Sequence, residues 1–143
     1  MRLAESDSSA PSAAGFTPLG QWYETGLLAG TGVQFVNRST SQAGVTIEGE
    51  SQSIAPSAGT LKGLFVNFTA ASLPVADVTF IVNVNGVNTV ITCQVLHTAQ
   101  SGSDTTHSVA VNAGDRVSIQ CQATVSDAST IRLSAVLGFQ PSP

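Results

Sequence analysis

The stretch at residues 78–95, VTFIVNVNGVNTVITCQV, limits what this chain can become more than any other. Two apolar, largely β-branched arms flank an Asn-Gly pair. A tight hairpin turn of the I′ type needs positive φ at both central residues, and Asn followed by Gly accepts that at the least steric cost. The stretch therefore predicts a β-hairpin turning at Asn85 and Gly86. In that register Val84 faces Val87, Val82 faces Thr89, Phe80 faces Ile91 and Val78 faces Cys93. These pairs share one side because strand side chains alternate. Asn83 with Asn88, Ile81 with Val90, and Thr79 with Thr92 make the other side. The first side reads as core and the second as mixed.

The rest of the chain repeats the theme. Strand-like pieces stand at GVQFVN (32–37), AGVTIEG (43–49), LKGLFVNF (61–68), HSVAVN (107–112), RVSIQCQATV (116–125) and TIRLSAVLGF (130–139), with Gly, Asn, Asp and Ser between them. No window has a convincing helical period. Many short strands separated by turn residues are the pattern of an all-β sandwich or barrel. A second hairpin is expected at VAVNAGDRVSI, closed by Ala113, Gly114 and Asp115 with Gly114 in the left-handed region. It sets Val111 opposite Val117, Val109 opposite Ile119, and His107 beside Cys121.

Composition narrows the function classes. Charged residues are 10% of the chain, against about a quarter in ordinary soluble domains. Ser, Thr, Asn, Gln, Gly and Ala stand in their place, and such a surface is cheap to desolvate against other protein. The net charge is −4, carried with only five basic residues, Arg2, Arg38, Lys62, Arg116 and Arg132. Scattered cations make no phosphate-binding patch, so nucleic acid is not an expected partner. No apolar run reaches the roughly 18 residues of a membrane span, and the N-terminus lacks the apolar core of a signal peptide. Cys93 and Cys121 have no metal-site spacing and read as small core residues made in a reducing cytoplasm.

Residues 1–18 are rich in Ser, Ala, Pro and Asp without any period, and are expected to form a flexible N-terminal arm. Residues 19–143 form the domain. Phe16, Leu19, Trp22 and Tyr23 stand at the junction and hold the chain's one Trp and one Tyr. Aromatic residues are favoured interface anchors, so these four are the candidate partner-binding residues. The alternative is that Trp22 and Tyr23 simply begin the first strand and cover one end of the core.

The order APSAGTLKGLFVNFTAA (55–71), the residue 78–95 hairpin, SGSDTTHSVAVNAGDRVSIQ (101–120) and a final apolar strand resembles a jelly-roll module of tailed-bacteriophage virion proteins. That module occurs in capsid decoration or cement proteins, head fibres and tail-associated parts. More loosely it is similar to trimeric tumour-necrosis-factor-like heads. The resemblance covers residues 55–139. It implies a jelly-roll β-sandwich of about eight antiparallel strands, carrying no cofactor and no catalysis. It also implies a homodimer or homotrimer bound to the major capsid protein on the outer surface of the virion, assembled in the host cytoplasm. The absence of a collagen-like or coiled-coil stalk favours a cement protein over a fibre head that binds a receptor or glycan.

Chemistry finds little footing in the sequence. Ser101, Asp104 and His107 could be written as a triad, but they lie within seven residues of one another, whereas a triad converges from separate elements around an oxyanion hole. Asp104 with Thr105, and Asp115 in its turn, read better as local turn caps. His97 and His107 are the only imidazoles and the carboxylates are dispersed, so neither a catalytic nor a metal site is expected. Glu48 and Glu50 mark a solvated strand end. Phe65, Phe68, Phe80 and Phe139 sit in apolar strand patterns and are expected in the core. That leaves Phe16, Trp22 and Tyr23 as the aromatics available to a sugar platform.

Overall fold

The computed structural model describes residues 16–28, 34–36, 52–68, 76–124 and 130–143, with the backbone alone for 20–28, 34 and 130–132. Within these residues the chain forms β1 (Thr17–Leu28), β2 (Gln34–Phe35), β3 (Ser53–Ile54), β4 (Gly59–Phe68), β5 (Val78–Val84), β6 (Val87–Val95), β7 (Ser101–Val111), β8 (Arg116–Ala123) and β9 (Thr130–Pro141). Sheet A has the order β1-β9-β4-β7 and sheet B the order β2-β8-β5-β6; the short β3 shares with β2 the outer edge of β8. The described pairings are antiparallel. A four-stranded and a five-stranded sheet interleaved in this order are a jelly roll. The segment expected as a strand at 43–49 lies outside the described residues, as does most of the N-terminal arm.

The core lies between the sheets and follows from period-two alternation. Val78, Phe80 and Val82 of β5, Ile91, Cys93 and Val95 of β6, and Val117, Ile119 and Cys121 of β8 enter it from sheet B. Leu61, Leu64, Val66 and Phe68 of β4 and Leu133, Ala135, Leu137 and Phe139 of β9 enter it from sheet A. Phe80 is fully buried and meets Phe68 of the opposite sheet edge-on, with ring centroids 6.3 Å apart. Such a pair adds about 1 kcal/mol to what its buried area contributes.

The Asn85–Gly86 turn is present, with φ of 53° and 83° at its two residues. Val84 faces Val87 and Asn83 faces Asn88, as expected. Beyond them the register departs from expectation. Phe80 pairs with Cys93 rather than Ile91, and Val78 with Val95 rather than Cys93, because β6 is bulged between these pairs. Val82 there faces Thr89, Val90 and Ile91 together. The Thr89 hydroxyl fills the gap, donating to the Val82 carbonyl at 2.8 Å and accepting from the Ile91 N–H at 3.2 Å. A slip of two residues preserves faces, so the core side survives while the partners change.

The second expected hairpin is a correction of topology. The turn itself is there, with Gly114 at φ 88° and the Asp115 N–H donating to the Asn112 carbonyl. But β7 pairs with β4 in sheet A, while β8 pairs with β5 in sheet B. Val111 and Val117 thus enter the core from opposite sheets and are not ladder partners. Periodicity reports which face a residue takes, and an arch between sheets has the same alternation as a hairpin within one. His107 is accordingly exposed on β7, away from Cys121, which stands between Gln34 and Phe80.

Phe65 is the third departure. Simple alternation from Leu61 would put it in the core. Gly63 instead adopts φ 85° at a bulge in β4, so Leu64 turns inward and Phe65 outward, beside Val136 on the outer face of sheet A. Phe68, Phe80 and Phe139 are buried as expected.

Candidate functional site

The Asp104 carboxylate accepts five hydrogen bonds. The bulge opposite Gly63 gathers Thr105, Thr106 and His107 of β7 around it. Its Oδ1 accepts the N–H groups of Thr106 and His107, both at 3.1 Å, and the Thr106 hydroxyl at 3.2 Å. Its Oδ2 accepts His107 Nδ1–H at 2.9 Å and, from the other sheet, the Thr92 N–H at 3.1 Å. Local turn-like bonding was expected; the reach across to β6 was not. The residue sits in a strand rather than a turn, and its carboxylate ties the edge of sheet A to the edge of sheet B. Burial pushes its pKa up, but the N–H donors of His107, Thr92 and Thr106 outweigh burial and hold it at about 2. Two residues away, Gly102 packs so tightly on the Gln94 carbonyl that a Cβ there would come within 2.7 Å of its oxygen.

This arrangement orients the His107 imidazole. Ser101 lies three residues from Asp104 along the extended strand, about 10 Å away, and six from His107, opposite Asn67 rather than beside the imidazole. The second imidazole is similarly placed: Asp77 Oδ1 accepts His97 Nδ1–H at 2.8 Å and the His97 N–H at 2.7 Å. Those bonds, the backbone one first, lower the Asp77 pKa. They fasten the turn after β6 to the start of β5. Among the described residues no three His, Cys, Asp or Glu side chains are placed to hold a metal, and no helix is long and apolar enough to cross a membrane.

Cys93 and Cys121 flank Phe80 on either side in sheet B. Two strand spacings, about 9.6 Å, separate them, beyond the roughly 7 Å a disulfide can bridge. Both are buried. Burial first, and then the Asp104 charge, push the Cys93 thiol up to about 12, which makes it inert as a nucleophile.

One end of the sandwich is locked by three loops. The Asn85 side chain accepts the Arg116 N–H at 2.9 Å through Oδ1 and donates through Nδ2 to Asp115 Oδ1 at 3.0 Å. Asp115 Oδ2 accepts the Asn112 N–H at 2.8 Å. The Gly114 N–H donates to the Ala55 carbonyl, and the Ala55 N–H to that of Asp115. The Asn112 N–H, then Asn85 and Arg116, lower the Asp115 pKa. All four residues singled out as structural turns, Asn85, Gly86, Gly114 and Asp115, therefore fall in one cluster.

The outward rows of sheet B are polar, a pattern carried by the alternation of β8; Ser118 and Asn83 in them are buried, Gln120 and Thr79 half-buried, and Thr92, Gln94 and Gln122 exposed. Ser118, Gln120 and Gln122 alternate along β8 and stand opposite Asn83, Ile81 and Thr79 of β5. Thr92 and Gln94 of β6 complete the lower rows. Asn83 is buried; its Nδ2 donates to Gln120 Oε1 at 3.2 Å, and its Oδ1 meets no donor among the described residues. At the far end a depression of about 350 Å³ is lined by Thr79, Gln122, Ala123 and Thr124. Around Ile81, these rows are built of amides and hydroxyls.

Of the expected partner-binding residues, Leu19, Trp22 and Tyr23 lie on β1 and Phe16 immediately precedes it. Leu19 packs partly buried against the core, and Phe16 lies over Gly138, where an added Cβ would come within 3.1 Å of its own. Trp22 stands opposite Ala135 and Tyr23 opposite Ser134 in the ladder with β9; their side chains lie outside the described set. The boundary expected at residue 18 falls inside β1, which begins at Thr17.

No family model matches the chain, and no curated protein does. Solved structures that it resembles include CBM35 from Cellvibrio japonicus Abf62, at 19% identity over 94% of this chain and 96% of that one, with a TM-score of 0.38. Another is dimeric latent PorU from Porphyromonas gingivalis, at 9% identity over 98% of this chain but 14% of that one, with a TM-score of 0.37. Likeness at this level carries no functional argument. The jelly-roll assignment rests on the strand order itself.

Proposed function

We propose that this chain is a non-enzymatic structural protein of a tailed-bacteriophage virion. In this reading it is a capsid cement, or decoration, protein that binds the outside of the assembled head as a homo-oligomer and bridges major-capsid subunits. The observation that supports it best is how the chain uses its few charges. Asp77, Asp104 and Asp115 are each spent on internal hydrogen bonds that fasten loops and sheet edges. Among the residues whose side chains are described, only Lys62 and Arg116 add further full charges, and Val87 and Val90 on the edge strand β6 and Ile54 on β3 are more than half exposed. A rigid, weakly hydrated exterior suits permanent contact. Burying about 800 Å² per partner at about 25 cal/mol per Å² gives ample gross stabilisation against the cost of association, and repetition over a shell multiplies it.

The experiment is quantitative mass spectrometry of purified virions, combined with sedimentation of the purified protein with heads that lack it. A cement protein is present in copies comparable with the major capsid protein and pellets with the heads. Absence from the particles, or failure to pellet, removes the reading.

A second reading, a glycan-binding module of a tail or head fibre, is favoured by the amide and hydroxyl rows on sheet B and the depression beside Thr79 and Gln122. Uncharged donors and acceptors of this kind suit a polyhydroxylated ligand. Binding on a glycan array that is lost in Gln122→Ala, with few copies per virion, selects it over the cement protein.

A further inference from the structure

We infer that Asn85 is a latent site of spontaneous deamidation, held closed by a clamp that Asp115 and Arg116 form on its side chain. Residues 85 and 86 are the only Asn-Gly step in the chain. A glycine after asparagine leaves the backbone nitrogen unhindered as a nucleophile. In the reaction, the Gly86 nitrogen gives its proton to water and bonds to Asn85 Cγ. The Cγ–Nδ2 bond breaks, and Nδ2 takes a proton from water and leaves as ammonia. A further water molecule opens the resulting succinimide at either carbonyl, leaving aspartate or isoaspartate.

Both residues are exposed, so solvent access does not prevent this. The side-chain geometry does. Oδ1 is held by the Arg116 N–H at 2.9 Å and Nδ2 by Asp115 Oδ1 at 3.0 Å, both partners lying on the β8 side of the turn. The backbone is fastened the same way, with the Asn85 N–H donating to the Arg116 carbonyl at 2.7 Å. For Cγ to reach the Gly86 nitrogen, the amide must leave both partners. Asp115 is itself fixed by the Asn112 N–H, so the clamp does not swing with the turn.

The product cannot re-form the lock. A carboxylate at position 85 would face the Asp115 carboxylate across the 3.0 Å now spanned by Nδ2–H, and like charges at that distance repel. Isoaspartate would add a backbone methylene to a two-residue turn. Either change unfastens the loop cluster that joins residues 55, 85 and 112–116.

Intact-mass and peptide-mapping measurements, with isoaspartate detection, test this on the full chain at 37 °C and mildly alkaline pH. One charge-assisted hydrogen bond suppresses a local opening about tenfold. The native protein should therefore convert at residue 85 at least about tenfold more slowly than the same chain in urea. Asp115→Ala should convert about tenfold faster than the native protein while retaining its sheet spectrum, and Asp115→Asn, which keeps an acceptor for Nδ2, should lie between. Equal rates in native and urea-unfolded wild type would overturn the inference without recourse to any variant. A folded Asp115→Ala no faster than wild type would overturn the role of the clamp.

Discussion

Asparagine in place of Asp104 removes one charge and swaps one acceptor for a donor at the point where the two sheets meet. If the asparagine carbonyl takes the Oδ1 position, it still receives the Thr106 and His107 N–H groups, and the imidazole can change tautomer to accept from the new amide. The Thr92 N–H, at 3.1 Å from Oδ2, then has no acceptor. A buried orphan donor costs about 1–3 kcal/mol. The depressed pKa gives a second route to the magnitude. A carboxyl held at about 2, against 3.8 when unconstrained, contributes on the order of 2 kcal/mol at neutral pH. The sign follows from the depressed pKa. The contribution is complete above the unfolded value and is lost as pH falls through about 2. Urea unfolding of wild type and Asp104→Asn at pH 7 should therefore differ by about 2–3 kcal/mol, with unchanged m-values. The gap should shrink steadily between pH 4 and pH 2, because only the wild type loses the contribution. A difference below about 0.5 kcal/mol at pH 7, or one that does not vary with pH, would refute the cross-sheet latch.

Gly63→Ala forces a Cβ into φ 85° at the β4 bulge and should lower stability by about 1–2 kcal/mol in thermal or urea unfolding; an unchanged midpoint would mean that the bulge relaxes freely. Neither thiol should react with an aromatic disulfide reagent in the native protein at pH 8, and both should react on unfolding, because Cys93 and Cys121 are buried and Cys93 is pushed up to about 12. Fast labelling under native conditions would contradict their placement against Phe80.

The hairpin at Asn85 and Gly86 was legible because its turn chemistry is local and specific. The faces of β5, β6 and β8 were legible because alternation is a property of each strand alone. What alternation cannot encode is partnership. Val111 and Val117 alternate as a hairpin would, yet belong to different sheets, and the deciding factor is the non-local pairing of β7 with β4. The two bulges were hidden for a related reason. Thr89 fills one with its own hydroxyl, and Gly63 marks the other no more clearly than the other glycines of the chain. The wrong position for Phe65 followed directly from that silence. Asp104 was visible as a turn former but not as a tie between sheets, because Thr92 becomes its neighbour only once the sandwich has closed. The polar outer face of sheet B was present in the spacing of Ser118, Gln120 and Gln122, a signal that attention to apolar residues alone passes over.

The place of β9 between β1 and β4 governs the order in which this molecule can be built. Thr17 and Phe139 share the ladder that closes sheet A, although they stand 122 residues apart in sequence. A ribosome delivers β1 long before its pairing partner exists, and β4 must wait with one side unpaired for the same strand. Local hairpins such as β5 and β6 can form early, but sheet A must pay the loop-closure entropy of a chain-spanning contact before its rewards arrive. Folding on the millisecond-to-second scale of non-local β proteins is the expected consequence. During that interval the exposed edges of β1 and β4 are templates for one another's copies on neighbouring chains. Ser, Asn and Thr on the exterior then matter while the sandwich is half-built, keeping it from finding the wrong partner.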